Sequence, residues 1–496
     1  MKSIYTATII TILFFSFMAM PFTLYASPAY VSAEKQIFSI KALQEDFSQL
    51  YRDLQLAHYN VHANLSKPNY DRAFEAYFQG IDKPMTAIQA QVYFQQFVAL
   101  GDIAHASIDL PIQDFIAYRS NGGKALPLYI KIDDDRVWGD EFYGEEPGIE
   151  RFAAIHAING KPISEWLEQL SRYISADNTR LTNTLIERLF PLLLWLEEGE
   201  RDTFQLTLGN NATPTVITVK TITSEEQSLA IEKQPSADII NSDSREAKML
   251  ENNIAYLRPG PFYNNEANTD NIWDNTAFTD FIDNAFDDFN QNGAKALFVD
   301  LRSNPGGTNS FSDHLIAWFA TEPFKFASRF EVKVSPQSEA ANAERLKLSV
   351  DDTDVSHQLA NFYQQNKSGE VFTFDLPLSQ PHSDKQFKAP VYVLVNRYSY
   401  SNAVSVAAIV QDYGFGEIIG EKPADLATTF GAMEKFKLSN TGIEVGSPKA
   451  LIIRPNGDES PDGVTPDYVI PMPFSLDSEG KQLQQAVELI LAQLEG

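Results

Sequence analysis

Residues 391–410, VYVLVNRYSYSNAVSVAAIV, run from an apolar stretch through a short polar cluster into an Ala-rich apolar run. The pattern predicts a buried strand followed at once by a helix, with Ser399 and Ser401 at the helix start. Serine is a common cap at that position. A serine there also stands at the positive end of the helix, where the amide of Asn402 can stabilise negative charge on a bound oxygen. The same position therefore suits a helix cap and a nucleophile, and the residues alone leave both open.

Several apolar segments around this stretch predict the rest of the same domain. The strand candidates are IAYLRPGPF (254–262), KALFVDLRSNPGG (295–307), PVYVLVN (390–396) and GEIIG (416–420). They alternate with helical runs such as FSDHLIAWFA (311–320). Apolar strands separated by helices indicate a mainly parallel sheet covered on both faces, which is an α/β fold.

A second polar loop follows the strand that ends near Leu301. Asn304 and Pro305 predict a turn, and Gly306 and Gly307 allow backbone angles that other residues avoid, leaving bare amides ahead of a helix. Such amides can hold an oxyanion. A glycine pair after a strand is more often only a turn, so this loop is one candidate for an oxyanion-binding site.

The composition of the chain excludes several kinds of partner and several kinds of catalytic or metal site. The chain has 496 residues, 44% of them hydrophobic, and a net charge of -27. The acidic excess argues against nucleic acid or an anionic membrane surface as the main partner. Cysteine is absent, which excludes disulfides, thiolate metal sites and a cysteine nucleophile.

The N-terminus, MKSIYTATIITILFFSFMAMPFTLYASPAYVSA, has one lysine, a long uncharged apolar run and small residues near Ala26 and Ala33. This pattern predicts a signal peptide over residues 1–33, cleaved near 26 or 33, and hence a periplasmic or extracellular protein. An uncleaved membrane anchor is the alternative, because the apolar run approaches the ~20 residues that span a bilayer.

Changes in the sequence pattern predict two further regions before the α/β core. Helix-period patterns indicate an N-terminal helical domain over residues 34–107. Short alternating runs indicate a small mixed α+β module that, with a polar linker, covers residues 108–250. Residues 251–496 form the predicted α/β core.

A serine nucleophile needs a base. His105, within ALGDIAHASIDLP (99–111), lies at a helix-to-strand junction between the first two domains, in a loop setting that often holds catalytic groups.

Four segments together resemble the tail-specific, or C-terminal-processing, serine proteases, including their tricorn-like and retinoid-binding-protein-like branches. They are VDLRSNPGG (299–307), VLVNRYSYSNAV (393–404), IIGEK (418–422) and GVTPDYVI (463–470), in the family's order and at about its separations. The segment GDIAHASI (101–108) is similar to the element that provides a histidine in the tricorn-like branch.

The resemblance implies a core of the crotonase and Clp-protease type with Ser401 as nucleophile and Ser399 as a supporting residue. It also implies an oxyanion hole made by backbone amides of Gly306 or Gly307 and of Asn402, and it requires no metal or organic cofactor.

The expected general base follows from a difference between this chain and the branches of the family that use a Ser/Lys dyad. Branches with a Ser/Lys dyad place lysine about 25 residues after the serine, where this chain has Leu426, and Lys422 is out of register. His105 is therefore the expected base.

The acid that orients the histidine is less well defined. The tricorn-like branch has a serine just before the histidine, where this chain has Ala104, and a glutamate shortly before the GV-x-PD element. Glu459 is near that place, so the orienting acid is Glu459, Asp462 or neither.

These residues predict an exported serine-type endopeptidase that cleaves peptides or unfolded protein chains. The alternative is a catalytically weak or inactive member of the family that binds a peptide or a small hydrophobic ligand, as the retinoid-binding branch illustrates.

Overall fold

The computed structural model describes residues 36–144, 148–209, 214–233, 241–267, 269, 271–347, 355–382, 385–471 and 481–494. The predicted signal peptide lies outside the described residues. Among those that are described, no helix combines the length and the apolar character needed to cross a lipid bilayer.

The N-terminal region is helical. It comprises β1 (Ile37–Phe38), α1 (Ile40–Ala57), α2 (Lys67–Gly80), β2 (Met85–Thr86), α3 (Ala87–Ala99) and α4 (Ile112–Ser120). Local sequence sets the helix starts: the Ser39 side chain caps α1, and Thr86 and Gln89 form a capping box on α3. The helices α1 to α3 pack around Phe47 and its aromatic neighbours.

The middle region is the mixed module. It comprises β3 (Leu128–Asp133), β4 (Arg136–Phe142), β5 (Ala154–Ile158), β6 (Lys161–Pro162), α5 (Ile163–Ser171), α6 (Thr179–Glu198), β7 (Thr203–Leu208), β8 (Thr215–Lys220) and α7 (Ser224–Lys233). Its strands pair antiparallel in the order β3-β4-β5-β7-β8. The long helix α6 buries one face against this sheet, with Leu189, Phe190 and Leu193 in a shared core.

The C-terminal region opens with β9 (Glu246–Leu250), β10 (Ile254–Arg258), α8 (Thr276–Gln291), β11 (Ala296–Asp300), α9 (Asn309–Ala317), β12 (Arg329–Lys333), α10 (Pro336–Leu346), α11 (Val355–Gln365) and β13 (Val371–Thr373). It continues with β14 (Val391–Val395), α12 (Asn402–Asp412), β15 (Glu417–Gly420), β16 (Thr429–Lys437), β17 (Glu444–Ile453), β18 (Tyr468–Val469) and α13 (Gln482–Leu494).

The principal sheet of this region has the order β18-β15-β14-β11-β10-β9, parallel except for β9. Helices α8, α9 and α12 cover one face in a large apolar core. Helix α13 covers the other face through Ala486 and Ile490. The predicted α/β core with a parallel sheet covered on both faces is confirmed.

A second sheet, β13-β12-β17-β16, is antiparallel. The sequence analysis did not foresee it. Leu438, Ile443 and Val445 from this sheet and its hairpin lie in the same apolar cluster as the N-terminal helices. The second sheet therefore joins the N-terminal region to the core, which matters for the position of His105.

Candidate active site

Ser401 lies between β14 and α12 in a conformation that non-glycine residues rarely adopt. Its φ is 52° and its ψ is -124°, and although it occupies the N-cap position its side chain makes no capping hydrogen bond. Such backbone angles cost of order 1–3 kcal/mol and persist where the surroundings enforce them. Of the two interpretations that the sequence left open, the ordinary helix cap is not what this serine does.

Ser399 fixes the turn that carries Ser401. Its buried hydroxyl donates to the carbonyl oxygen of Leu301 (2.8 Å) and accepts the N–H of Asn396 (3.1 Å). The N–H of Tyr400 donates to the carbonyl oxygen of Asn304 (3.0 Å). The loops after β11 and β14 are thereby joined, in keeping with a supporting role for Ser399.

Gly306 lies directly against the Ser401 turn. Its φ is +86°, and a Cβ built on it would be 2.6 Å from the Tyr400 carbonyl oxygen, 2.7 Å from the Asn402 nitrogen and 2.9 Å from the Ser401 Cβ. A side chain cannot be accommodated without moving the backbone of the turn. The close approach of the two loops therefore requires glycine at position 306.

The two glycine amides differ in what they bind. The N–H of Gly306 donates to Asn304 Oδ1 (2.8 Å), so it is occupied within the protein. Gly307 forms a parallel bridge with Phe262, and the bridge uses the amides of Phe262 and Thr308. Of the two, the Gly307 amide is thus the better candidate for an oxyanion, together with that of Asn402 at the start of α12.

The second sheet positions His105 next to the turn that carries Ser401. Its neighbour Ser107 forms an antiparallel bridge with Gly446 of β17, with N–H to oxygen distances of 3.1 and 2.7 Å. The imidazole is 8% exposed and stacks on the ring of Tyr400, with centroids 5.4 Å apart and an angle of 25° between the planes. The structure therefore brings His105 against the residue that precedes Ser401.

Burial determines the charge of this histidine. Desolvation lowers the pKa of His105 below its ordinary 6.5, while the negative charge of Asp177 acts in the opposite direction. Because desolvation dominates, the imidazole is neutral at neutral pH, which is the state that a general base requires.

The sequence analysis missed two carboxylates at this place, of which Asp425 is buried and Asp177 is half-buried. Asp425 Oδ2 accepts the N–H of Ser401 (2.5 Å), and Asp177 Oδ1 accepts the N–H of Ala104 (3.2 Å). Burial raises the pKa of each carboxyl group to about 6, and the charge of Asp425 adds to the increase at Asp177.

Only one of these two acids left a signal in the sequence. Asp425 follows Ser401 by 24 positions, close to the place where a dyad lysine would stand, so an acid there was detectable. Asp177 precedes Asn178, the N-cap of α6, and resembles an ordinary helix start.

The two candidates for the orienting acid lie at the surface. The Glu459 side chain is 59% exposed and forms an ion pair with Arg329 (2.8 Å), and Asp462 is also exposed. The loop that carries both runs over the surface, where Arg329 neutralises Glu459. The carboxylate whose charge acts on His105 is that of Asp177 instead.

A buried ion network connects the middle region to the serine loop. The guanidinium of Arg397 lies between Glu421 (2.8 Å) and Glu187 of α6 (2.9 Å) and donates to the Ile132 carbonyl oxygen (2.6 Å). The Tyr398 hydroxyl also donates to Glu187. The segment between β14 and Ser401 is therefore held by the module as well as by the core.

Part of the chain matches the model of a known protein family. Residues 253–470, which hold Ser401 and both glycines, match the family model of peptidase family S41. No curated protein matches the sequence.

Among solved structures, the chain resembles mature CPAF complexed with lactacystin, with 14% identity and a TM-score of 0.64, over 92% of this chain and 99% of that one. It also resembles mature CPAF at 15% identity and a TM-score of 0.62, over 90% and 96% of the two chains. At this identity, the likeness concerns the fold. Residues 253–470 are thus similar to peptidase family S41, and the chain as a whole shares the fold of these solved structures.

Proposed function

We propose that the protein is an exported serine endopeptidase in which Ser401 is the nucleophile and His105 the general base. One observation carries the proposal. Ser401 is held in a left-handed conformation at the start of α12, its hydroxyl does not cap the helix, and the ring of the preceding Tyr400 stacks on His105. A serine that only caps a helix does not require a left-handed backbone conformation, and it does not require a histidine packed against the preceding residue.

The chemistry follows from these positions. Ser401 Oγ attacks the carbonyl carbon of the peptide bond while His105 accepts its proton. The amides of Gly307 and Asn402 stabilise the resulting oxyanion, aided by the positive end of α12. Protonated His105 then gives the proton to the leaving amine, and water hydrolyses the acyl-enzyme by the same route.

The proposed substrates are peptides or unfolded protein chains that can reach a cleft between the middle module and the core. Export rests on residues 1–33, whose single lysine, apolar run and small residues suit a signal peptide. The activity is therefore expected in the periplasm or outside the cell.

A fluorophosphonate probe tests the nucleophile directly, because it reacts only with an activated serine. We expect it to label the wild-type protein at Ser401, and we expect Ser401→Ala to lose both labelling and cleavage of a fluorogenic unfolded-protein substrate. Ser405→Ala, on the same helix, is the matched control and should keep both. Labelling that survives in Ser401→Ala would eliminate this nucleophile.

A further inference from the structure

Buried polar atoms at the site point to an interaction that the structure prepares. Among the described residues, His105 Nδ1, Asp177 Oδ2 and Asp425 Oδ1 are buried and have no hydrogen-bond partner. A buried histidine nitrogen and a buried carboxylate oxygen that both lack a partner are complementary groups.

Asp177 is fixed close to His105. Its Oδ1 accepts the N–H of Ala104 (3.2 Å), the residue immediately before the histidine. The next residue, Asn178, accepts the Leu181 N–H (2.9 Å) at the start of α6 and donates to the Ala424 carbonyl oxygen (3.0 Å). The segment of Asp177 is thus held at the start of α6 and against the loop of Asp425. The second carboxylate oxygen of Asp177, Oδ2, accepts no hydrogen bond.

Asp425 has a different task. Its Oδ2 accepts the N–H of Ser401. The two acids therefore bind different segments: Asp425 accepts the backbone N–H of the serine, and Asp177 accepts that of the residue before the histidine.

We propose that Asp177 is the positioning residue of His105: its Oδ2 accepts the proton of Nδ1, which leaves Nε2 as the proton acceptor for Ser401. This rests on the function proposed above and adds to it that the acid comes from the middle module. The carboxylate takes the place of the hydroxyl that Ala104 lacks and of the exposed Glu459.

The charged surroundings are consistent with this role. The groups that act on Asp177 are His105, which favours the carboxylate, and Asp425 and Asp102, which oppose it. The pKa of Asp177 is raised to about 6, and that of His105 lies below 6.5. At pH 7 to 8 the pair is an ionised carboxylate beside a neutral imidazole, the combination that a relay needs.

The variant Asp177→Asn tests the proposal with little change of shape. Its carbonyl oxygen can still accept the Ala104 N–H, but its amide would donate to Nδ1 and favour the tautomer that is protonated on Nε2. We expect kcat to fall about 10³- to 10⁴-fold, with KM much less affected. The residual acid limb of kcat/KM should move to lower pH, because the imidazolium loses its counter-charge. A variant with wild-type kcat and an unmoved acid limb would overturn the proposal.

Asp313→Asn is the matched control. Asp313 is half-buried on α9, its pKa is also raised to about 6 by desolvation, and it accepts hydrogen bonds from Ser379 and Asn309. It should leave kcat and the acid limb unchanged. An equal loss in both variants would show a general effect of removing buried charge and would also overturn the proposal.

A measurement without catalysis separates this inference from the proposed function. In full-length Ser401→Ala protein with ¹⁵N-labelled histidine, His105 should be protonated on Nδ1 at pH 7.5, and Asp177→Asn in that background should remove this tautomer. The signal is assigned by its loss in His105→Gln. An unchanged tautomer would overturn the role of Asp177 even in an active peptidase. If the wild-type protein neither reacted with the fluorophosphonate probe nor cleaved substrate, the proposed peptidase function would be wrong. The tautomer of His105 would still test its contact with Asp177.

Discussion

The carboxylate of Asp425 accepts the backbone N–H of Ser401 at 2.5 Å, across 24 positions of sequence. Ser401 has left-handed backbone angles, so a fixed acceptor for its amide helps to hold a conformation that the residue would not adopt alone. The loop that would supply a dyad lysine thus supplies an acid that acts on the backbone.

Asp425→Asn should stabilise the protein in a pH-dependent way. Burial raises the pKa of Asp425 from 3.8 to about 6, so between these values the folded state keeps a proton that the unfolded state releases. The contribution of this group to stability is present below pH 3.8 and is lost as pH rises through 6. The variant should therefore gain about 3 kcal/mol relative to wild type between pH 4 and pH 8. Urea unfolding at both values measures this gain, and a pH-independent difference would contradict it.

Gly306→Ala should abolish activity and reduce stability. The added Cβ would clash with the Tyr400 carbonyl oxygen and the Asn402 nitrogen, at 2.6 and 2.7 Å, and would push the glycine loop away from Ser401. We expect at least a 10²-fold loss of kcat/KM, comparable to removing an oxyanion donor. Gly293→Ala is the control, since it also has a positive φ (+66°) but no atom within 4 Å of the added Cβ. It should cost only about 1 kcal/mol and leave kcat/KM intact.

Arg397→Met should destabilise the protein strongly. It would leave Glu187 and Glu421 buried without their shared cation, and breaking a buried ion pair from one side costs about 3–5 kcal/mol. The equivalent surface change, Arg136→Met, removes a pair with Asp133 whose side chains are 62% and 39% exposed, and should cost less than about 1 kcal/mol. Equal unfolding midpoints for the two variants in urea would contradict a structural role for the Arg397 network.

The pH profile identifies the base. Burial lowers the pKa of His105, so kcat/KM should rise with pH through an ionisation below 6.5. A lysine base would start from about 10.4 and would place this limb at much higher pH. Lys422→Ala should keep the activity and the limb, whereas His105→Ala should lose the activity. An acid limb well above 6.5 that disappears in Lys422→Ala would restore the lysine.

Much of the core could be predicted because its signals are local. The run of five buried residues in β14 and the Ala-rich face of α12 predict a covered parallel strand and its helix. The glycines after β11 similarly mark a tight loop. These local signals marked Ser399, Ser401 and the glycine pair 306–307, and the family resemblance then chose Ser401 between the two serines.

The proposed relay could not be found in this way, because no local pattern brings its members together. The sequence by itself determined the strand, the turn and the serine at its tip, through apolar periodicity and the special backbone angles of a few residues. The tertiary structure decided which distant segments lie around that serine. It carried His105 in through the bridge between Ser107 and Gly446 and placed Asp177 of the middle module beside Ala104. It left Glu459 paired with Arg329 at the surface. Burial, desolvation and charge pairing arise from contacts between distant segments, and these assign the roles that the sequence left open.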